Sequence, residues 1–303
     1  MDVRAALKKG IAQLRDAQVP SFTLSAELLL LHTLGRNRTW LYAHPEETIA
    51  EADAQRYFAF LTRRAVGEPT QHLTGKQEFW GLELEVTPEV LIPRPETEHL
   101  IEVALDRLAL REIRAGRPQK TDGAGWHIAD LGTGSGCIAI ALATELPAAT
   151  IYATDISPAA LAIARRNALR HGVVGRIHFL ESNLLEGWLP VGQTASREAP
   201  PFDLIASNPP YIGRREAPTL AREVRDHEPD CALYGGEEGY ELYGGLIAQA
   251  ALHLKPGGIL VLELGHSSLP AVQPLLDAAH WTNAGVTSDL AGTPRVLAAE
   301  RSG

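Results

Sequence analysis

The chain has 303 residues, 45% of them hydrophobic, enough for one large domain and a smaller companion in an ordinary globular protein. No apolar run approaches the roughly 18 residues of a membrane span and the first ten residues lack an apolar leader, so the expected location is cytoplasmic, with no membrane partner. Two distant cysteines, Cys137 and Cys231, argue against disulfides and thiolate zinc sites, and a net charge of -9 argues against binding led by phosphates.

From Val3 to about Arg64 apolar residues recur at helical spacing, broken at Pro20-Ser21, Gly35-Arg36-Asn37 and His44-Pro45. This predicts a small helical bundle over residues 1–75. That stretch carries nine Lys and Arg against eight Asp and Glu, whereas the remainder carries 19 against 29, net -10. The acidic excess is either solvated surface or a docking face for a basic protein. Phe79 to Val86 alternates apolar and polar, predicting a hairpin within a connector over residues 76–95. Glu96-Thr97-Glu98 sets carboxylates in the first turn of a helix that ends before Gly116.

Residues 96–303 then read as an α/β domain. Short apolar runs at His127–Leu131, Thr150–Thr154, Arg176–Leu180, Leu204–Ser207 and Gly258–Glu263 alternate with helical patterns, which predicts a parallel sheet flanked by helices. Two further strands are expected at Trp281–Val286 and Arg295–Ala299, with surface loops at Arg117–Gly125 and Val191–Pro201.

The first of these strands runs into Gly132-Thr133-Gly134-Ser135-Gly136, and a second ends at Asp155, 19 residues past Gly136. Glycines at the carboxyl edge of a parallel strand let backbone approach a ligand, and an acid ending the next strand can accept bonds from both ribose hydroxyls. The spacing Gly-x-Gly-x-Gly departs from the Gly-x-Gly-x-x-Gly of nicotinamide-binding loops, which favours S-adenosylmethionine, a cofactor with no pyrophosphate to cradle. Asp130 either meets that donor's ammonium group or caps the loop.

A later strand ends in Asn208-Pro209-Pro210-Tyr211. The prolines fix the backbone so that the Pro209 carbonyl and the Asn208 side chain can accept both hydrogens of an NH2 group, with the Tyr211 ring as a flat surface for a planar amide or base. This set points to methyl transfer onto an amide or exocyclic amino nitrogen without a metal. Nucleic-acid amino methylation and a catalytically silent binding module are the competing readings.

With these motifs, together with Gly67-Glu68-Pro69 through Gly75, Phe79, and Leu91-Ile92-Pro93-Arg94-Pro95-Glu96-Thr97-Glu98, the chain resembles the glutamine methyltransferases of class I peptide chain release factors over nearly its whole length. The resemblance implies a Rossmann-like, seven-stranded methyltransferase domain behind a helical amino-terminal domain and hairpin connector. It implies S-adenosylmethionine as cofactor, the glutamine of a Gly-Gly-Gln motif as acceptor, and no direct nucleic-acid substrate. Carried over by residue, cofactor contacts fall on Gly132 to Gly136, Asp155, Asn183, Leu184 and Asn208, and glutamine contacts on Asn208 to Tyr211. Asn183 and Leu184 depart from the acidic and aromatic pair common there, which implies weakened adenine contacts. Arg94 and Glu96 are expected to clamp the connector as an ion pair.

Overall fold

The computed structural model describes residues 1–116, 122–187, 189–190 and 198–303. The chain divides into two compact units, Met1–Lys76 with Leu220–Glu228, and Gln77–Thr219 with Pro229–Gly303.

The first unit is helical: α1 (Val3–Asp16), α2 (Phe22–Leu34), α3 (Arg38–Ala43), α4 (Glu51–Ala65) and α5 (Thr70–Thr74). Asp2 caps α1 by accepting from the Ala5 amide at 2.7 Å, and Asn37 caps α3 from the Trp40 amide at 2.9 Å. Gly35, at φ +62°, ends α2 in the left-handed conformation that glycine tolerates best. Leu14, Leu29, Leu30, Tyr57 and Leu61 fill the core. The returning segment 220–228 belongs to this unit: its helical turn Arg222–Arg225 presents Glu223 to the buried Arg64, which also donates to the Glu68 carbonyl at 3.1 Å. No sequence pattern announced that return, because the segment is short and polar.

The second unit opens with β1 (Lys76–Phe79) and β2 (Leu82–Glu85), joined by Trp80-Gly81, both at positive φ. The alternation read over Phe79 to Val86 therefore spans one strand and the turn rather than a whole hairpin; β1 is mostly exposed and too polar to alternate. Hydrogen bonds fasten this hairpin within the unit. Glu98 accepts from the Trp80 amide at 2.8 Å, while Asn167 accepts from the Glu85 amide at 2.7 Å and donates to the Glu85 carbonyl at 2.9 Å.

A single 3-10 turn, Pro95–Thr97, leads into α6 (Glu98–Arg114). There follow β3 (His127–Leu131), α7 (Cys137–Glu145), β4 (Thr150–Asp155), α8 (Pro158–Arg170) and β5 (Ile177–Glu181). The parallel pair β6 (Leu189–Pro190) and β7 (Glu198–Ala199) precedes β8 (Phe202–Ser207). A second parallel pair, β9 (Ile212–Gly213) with β10 (Tyr234–Gly236), precedes the helix Glu241–His253, β11 (Leu254–Glu263), β12 (Trp281–Ser288) and β13 (Pro294–Arg301). Of the two expected loops, residues 117–121 and 191–197 lie outside the described residues.

Seven strands form one sheet in the order β12-β13-β11-β8-β3-β4-β5. It is mixed: β11, β8, β3, β4 and β5 are mutually parallel, whereas β13 runs antiparallel to β11 and to β12. Antiparallel neighbours need only a tight connection, and β12 and β13 are separated by a short turn. Strand β8 is buried throughout, as are β3 after its first residue and β11 from Gly258 onward, which explains their unbroken apolar runs. One core, containing Leu100, Ile101, Ile140 and Leu142, lies on one face of the sheet, and Tyr243, Leu246 and Ile247 belong to the core on the other. Strand order reverses between β3 and β8, so a crevice opens there beyond their carboxyl ends.

Candidate active site

At the end of β3 the chain turns through Gly132, Gly134 and Gly136, at φ +71°, +53° and +85°. A Cβ on Gly132 or Gly134 would meet nothing within 4 Å, and both glycines line the cleft at the strand ends, so their lack of a side chain leaves backbone open to a ligand. Gly136 serves packing instead, since its Cβ would sit 3.1 Å from the Ala164 Cβ and 3.2 Å from its Cα on α8. Gly136→Ala should therefore lower stability by about 2 kcal/mol or more, from left-handed backbone strain and the enforced separation of α7 from α8. A denaturant midpoint measures this, and an unchanged midpoint would contradict the packing role.

The loop is held from below. The Thr133 amide donates to the Thr154 carbonyl at 2.9 Å and the Gly134 amide to Asp155 Oδ2 at 2.8 Å, while Asp155 Oδ1 accepts from the Ser157 amide at 2.9 Å. Burial raises the Asp155 pKa, opposed by these amides. Asp130 is fully buried; its Oδ2 accepts from the Thr133 hydroxyl at 2.6 Å and from the Ala139 amide at 3.1 Å, and its Oδ1 has no partner among the described residues. Burial pushes the Asp130 carboxyl up to about 7. Asp130 therefore does cap the loop, and one buried acceptor remains. Thr133 and Ser135 are buried beneath the loop rather than in the cleft.

Gly132, Gly134, Asp155, Asn183, Leu184, Asn208 and Pro210 meet around one cleft. Asn183 is exposed and donates to Glu186 at 2.9 Å; Leu184 takes a positive φ of 53°. Val90, Leu91, Ile156 and Leu242 complete an apolar wall beside Glu89, and of these only Leu91 lies in a motif marked in the sequence. Nor did the sequence mark Asn167, fully buried, which donates to the Ser135 carbonyl at 2.9 Å and so ties the glycine loop to α8.

Asn208 stands at the end of β8. Its Nδ2 donates to Thr97 Oγ1 at 3.1 Å, and its Oδ1 is buried without a partner among the described residues. A buried carbonyl oxygen left bare costs on the order of 1–3 kcal/mol, which a ligand N–H would recover. Pro209 is buried and Pro210 half-buried. Their backbone is buttressed by two glycines: a Cβ on Gly235 would lie 2.2 Å from the Pro210 carbonyl oxygen, and one on Gly239 would lie 2.4 Å from that of Tyr211. The Tyr211 ring packs against the core rather than lining the cleft, and its hydroxyl donates to Glu263 Oε1 at 3.3 Å.

Glu263 ends β11 and is fully buried. Burial raises its carboxyl to about 7, while hydrogen bonds from Thr97 and Tyr211 and the charge of Arg295 pull it down and Glu96 pushes it up. Because this folded value exceeds the ordinary 4.5, the native state holds a proton that the unfolded chain has lost, and stability falls as pH rises from about 4.5 to about 7. Glu263→Gln should remove that slope, so its denaturation midpoint gains on the parent as pH rises through this window and the gain levels off above it. A gain independent of pH would contradict the assignment. The signal for Glu263 was present in the sequence, since an acid closing an apolar strand is the same pattern that marked Asp155.

No helix among the described residues is long and apolar enough to cross a membrane, and none of their His, Cys, Asp and Glu side chains cluster in a metal-binding group of three or more.

Comparison with known proteins bears on this site. Residues 5–75 match the PrmC N-terminal domain and residues 118–226 the methyltransferase small domain. The chain is 43% identical to the release factor glutamine methyltransferase of Koribacter versatilis, over 98% of both chains, and 40% identical to that of Deinococcus radiodurans over the full length of both. Among solved structures, a methyltransferase from Pyrococcus furiosus superposes with a TM-score of 0.50 at 21% identity, covering 74% of this chain and 90% of that one, a likeness of fold. The seven-stranded sheet is thus that of a methyltransferase, and the chain belongs to the release factor glutamine methyltransferase family.

Proposed function

We propose that the enzyme transfers a methyl group from S-adenosylmethionine to the side-chain amide nitrogen of the glutamine in the Gly-Gly-Gln motif of class I release factors. The observation that carries this reading is Asn208 Oδ1, a buried acceptor with no partner among the described residues, at the edge of the cleft. The relatives named above, called release factor glutamine methyltransferases, supply the acceptor class.

The residues present fit the cofactor. Gly132 and Gly134 leave the cleft floor open, Asp155 retains acceptor capacity for ribose hydroxyls beside its two amide bonds, and Asp130 Oδ1 is a buried acceptor suited to an ammonium group. Asn183 and Leu184 are proposed to edge the adenine, with Thr133, Ser135 and Gly136 holding the loop in shape. When bound, S-adenosylmethionine supplies an electrophilic methyl on a sulfonium.

The chain's own part is orientation. Asn208 Oδ1 and the Pro209 carbonyl accept the two amide hydrogens, which turns the nitrogen lone pair toward the methyl and stabilises the positive charge that grows on nitrogen. Pro210 adds the rigid ring that borders the cleft, and Tyr211, anchored through its hydroxyl, fixes the direction of the tetrapeptide. Asn208 has no basic function, so the proton shed afterwards passes to water. The helical unit is proposed as a second contact for the folded release factor, its binding energy holding the glutamine in place.

The test compares three acceptors: intact release factor, free glutamine and duplex DNA. The reading expects rapid methylation of the first and little of the others, and efficient methylation of DNA would overturn it.

A further inference from the structure

Helix α8 turns Ala160, Ile163, Ala164 and Asn167 inward, at the spacing of a single helical face. Ala160 lines the cleft, and with Ile163 it packs against Val86 and Val90 of the connector. Ala164 lies against Gly136. Asn167, fully buried, is the polar member of this stripe. Its Oδ1 accepts from the Glu85 amide at 2.7 Å, and its Nδ2 donates to the Glu85 carbonyl and to the Ser135 carbonyl, each at 2.9 Å. Both protons of the side-chain amide are therefore spent on backbone from two separate segments.

We infer that Asn167 is a positioning residue for the cofactor, a single amide that fixes both the glycine loop and the connector wall of the cleft against one helix. On one side it sets the direction of the Ser135 carbonyl, within the loop that presents Gly132 and Gly134 to the cleft. On the other it holds the amide and the carbonyl of Glu85 at the end of β2, and from there the chain reaches the cleft within a few residues, at Glu89, Val90 and Leu91. The two walls keep their separation through one side chain, whose pattern of donors and acceptor no apolar residue reproduces. The tetrapeptide Asn208 to Tyr211 stands outside this arrangement, since its side chains bond to Thr97 and Glu263. This inference rests on the proposed seat of S-adenosylmethionine in the cleft.

Asn167→Leu keeps the approximate shape of the side chain but strands the Glu85 amide and two carbonyls in a dry site. Asn167→Ala instead leaves a small polar cavity, which one water can fill by donating to both carbonyls and accepting from the amide. The leucine variant should therefore raise KM for S-adenosylmethionine roughly tenfold or more, and the alanine variant by less. With cofactor saturating, kcat should stay within about threefold of the parent and KM for the release factor should not change, because the acceptor site is held by other residues.

The experiment measures, for the parent and both variants, calorimetric affinity for S-adenosylmethionine, kcat and both KM values on an intact release factor, and the denaturation midpoint. Binding is compared well below the midpoints, so that only folded protein is read. Hydrogen exchange of the cofactor-free proteins adds a direct view of the two walls. In the parent the Gly134 amide is bonded to Asp155, the Gly136 amide to the Thr133 carbonyl and the Val90 amide to the Thr87 carbonyl. All three should exchange faster in Asn167→Leu, and less so in Asn167→Ala. Affinity lost in the order leucine, alanine, parent, with exchange rising at both walls, supports the inference; should the leucine variant fail to fold, the alanine variant carries the same comparison. Lower midpoints with the parent's affinity and the parent's exchange would assign Asn167 to stability alone and overturn it, as would a loss confined to kcat. A parent that binds no S-adenosylmethionine defeats the cofactor reading, while exchange at the glycine loop and at Val90 still decides whether Asn167 positions both walls.

Discussion

Asn208→Ala should transfer methyl roughly 10²–10³-fold more slowly than the parent, a loss of about 2.7–4 kcal/mol in the transition state, while binding S-adenosylmethionine almost as well. The asymmetry follows from what the side chain touches. Its Nδ2 is spent on Thr97 and its Oδ1 is a bare buried acceptor, so deletion removes a contact made to the amide under attack. Truncation also frees Thr97 Oγ1, which lets the turn before α6 relax and adds a small stability cost. Rapid-quench rates with calorimetry of the cofactor separate the two effects. Loss of cofactor affinity as large as the loss in rate would place Asn208 in the cofactor site instead.

Asp155→Ala should act on the other substrate. Asp155 accepts from the Gly134 and Ser157 amides and is proposed to hold the ribose hydroxyls as well. Charge-assisted bonds of this kind contribute about 1.5–3 kcal/mol each, so affinity for S-adenosylmethionine should weaken by roughly one to three orders of magnitude. Part of this loss comes through the loop, because the Gly134 amide loses its anchor. Asp155→Asn distinguishes the parts: its carbonyl can still accept one amide but carries no charge, so its affinity should lie between those of the parent and the alanine variant. Equal affinity for all three proteins would remove Asp155 from the cofactor site.

The residues legible in the sequence are those whose signal is local. A strand running into Gly132, Gly134 and Gly136, an acid at a strand end and Asn208-Pro209-Pro210-Tyr211 each announce a turn of defined geometry within a few positions. The same holds for the central strands, whose apolar runs reflect burial on both faces. What the sequence concealed is which polar groups distant in the chain pair with one another, even where, as at Glu263, the residue itself is marked by closing an apolar strand. Thr97, Asn167 and Glu263 take their roles from partners 111, 82 and 52 positions away respectively, and no periodicity records such a pairing. The return of residues 220–228 to the helical unit was hidden for the same reason. Tyr211 was misjudged in part: an aromatic beside a proposed amide site reads as a platform, but its hydroxyl meets the carboxyl of Glu263, whose segment is silent about it. The glycines near residue 235 look like an ordinary loop until the approach of the Pro210 and Tyr211 carbonyls shows why a side chain is excluded.

The most direct test of the central claim is peptide mass spectrometry of a class I release factor incubated with the enzyme and S-adenosylmethionine. The account predicts one added methyl, carried on the side-chain nitrogen of the Gly-Gly-Gln glutamine, and no such product with Asn208→Ala over the same interval. A methyl group on another residue, or transfer that is unaffected by Asn208→Ala, would contradict it.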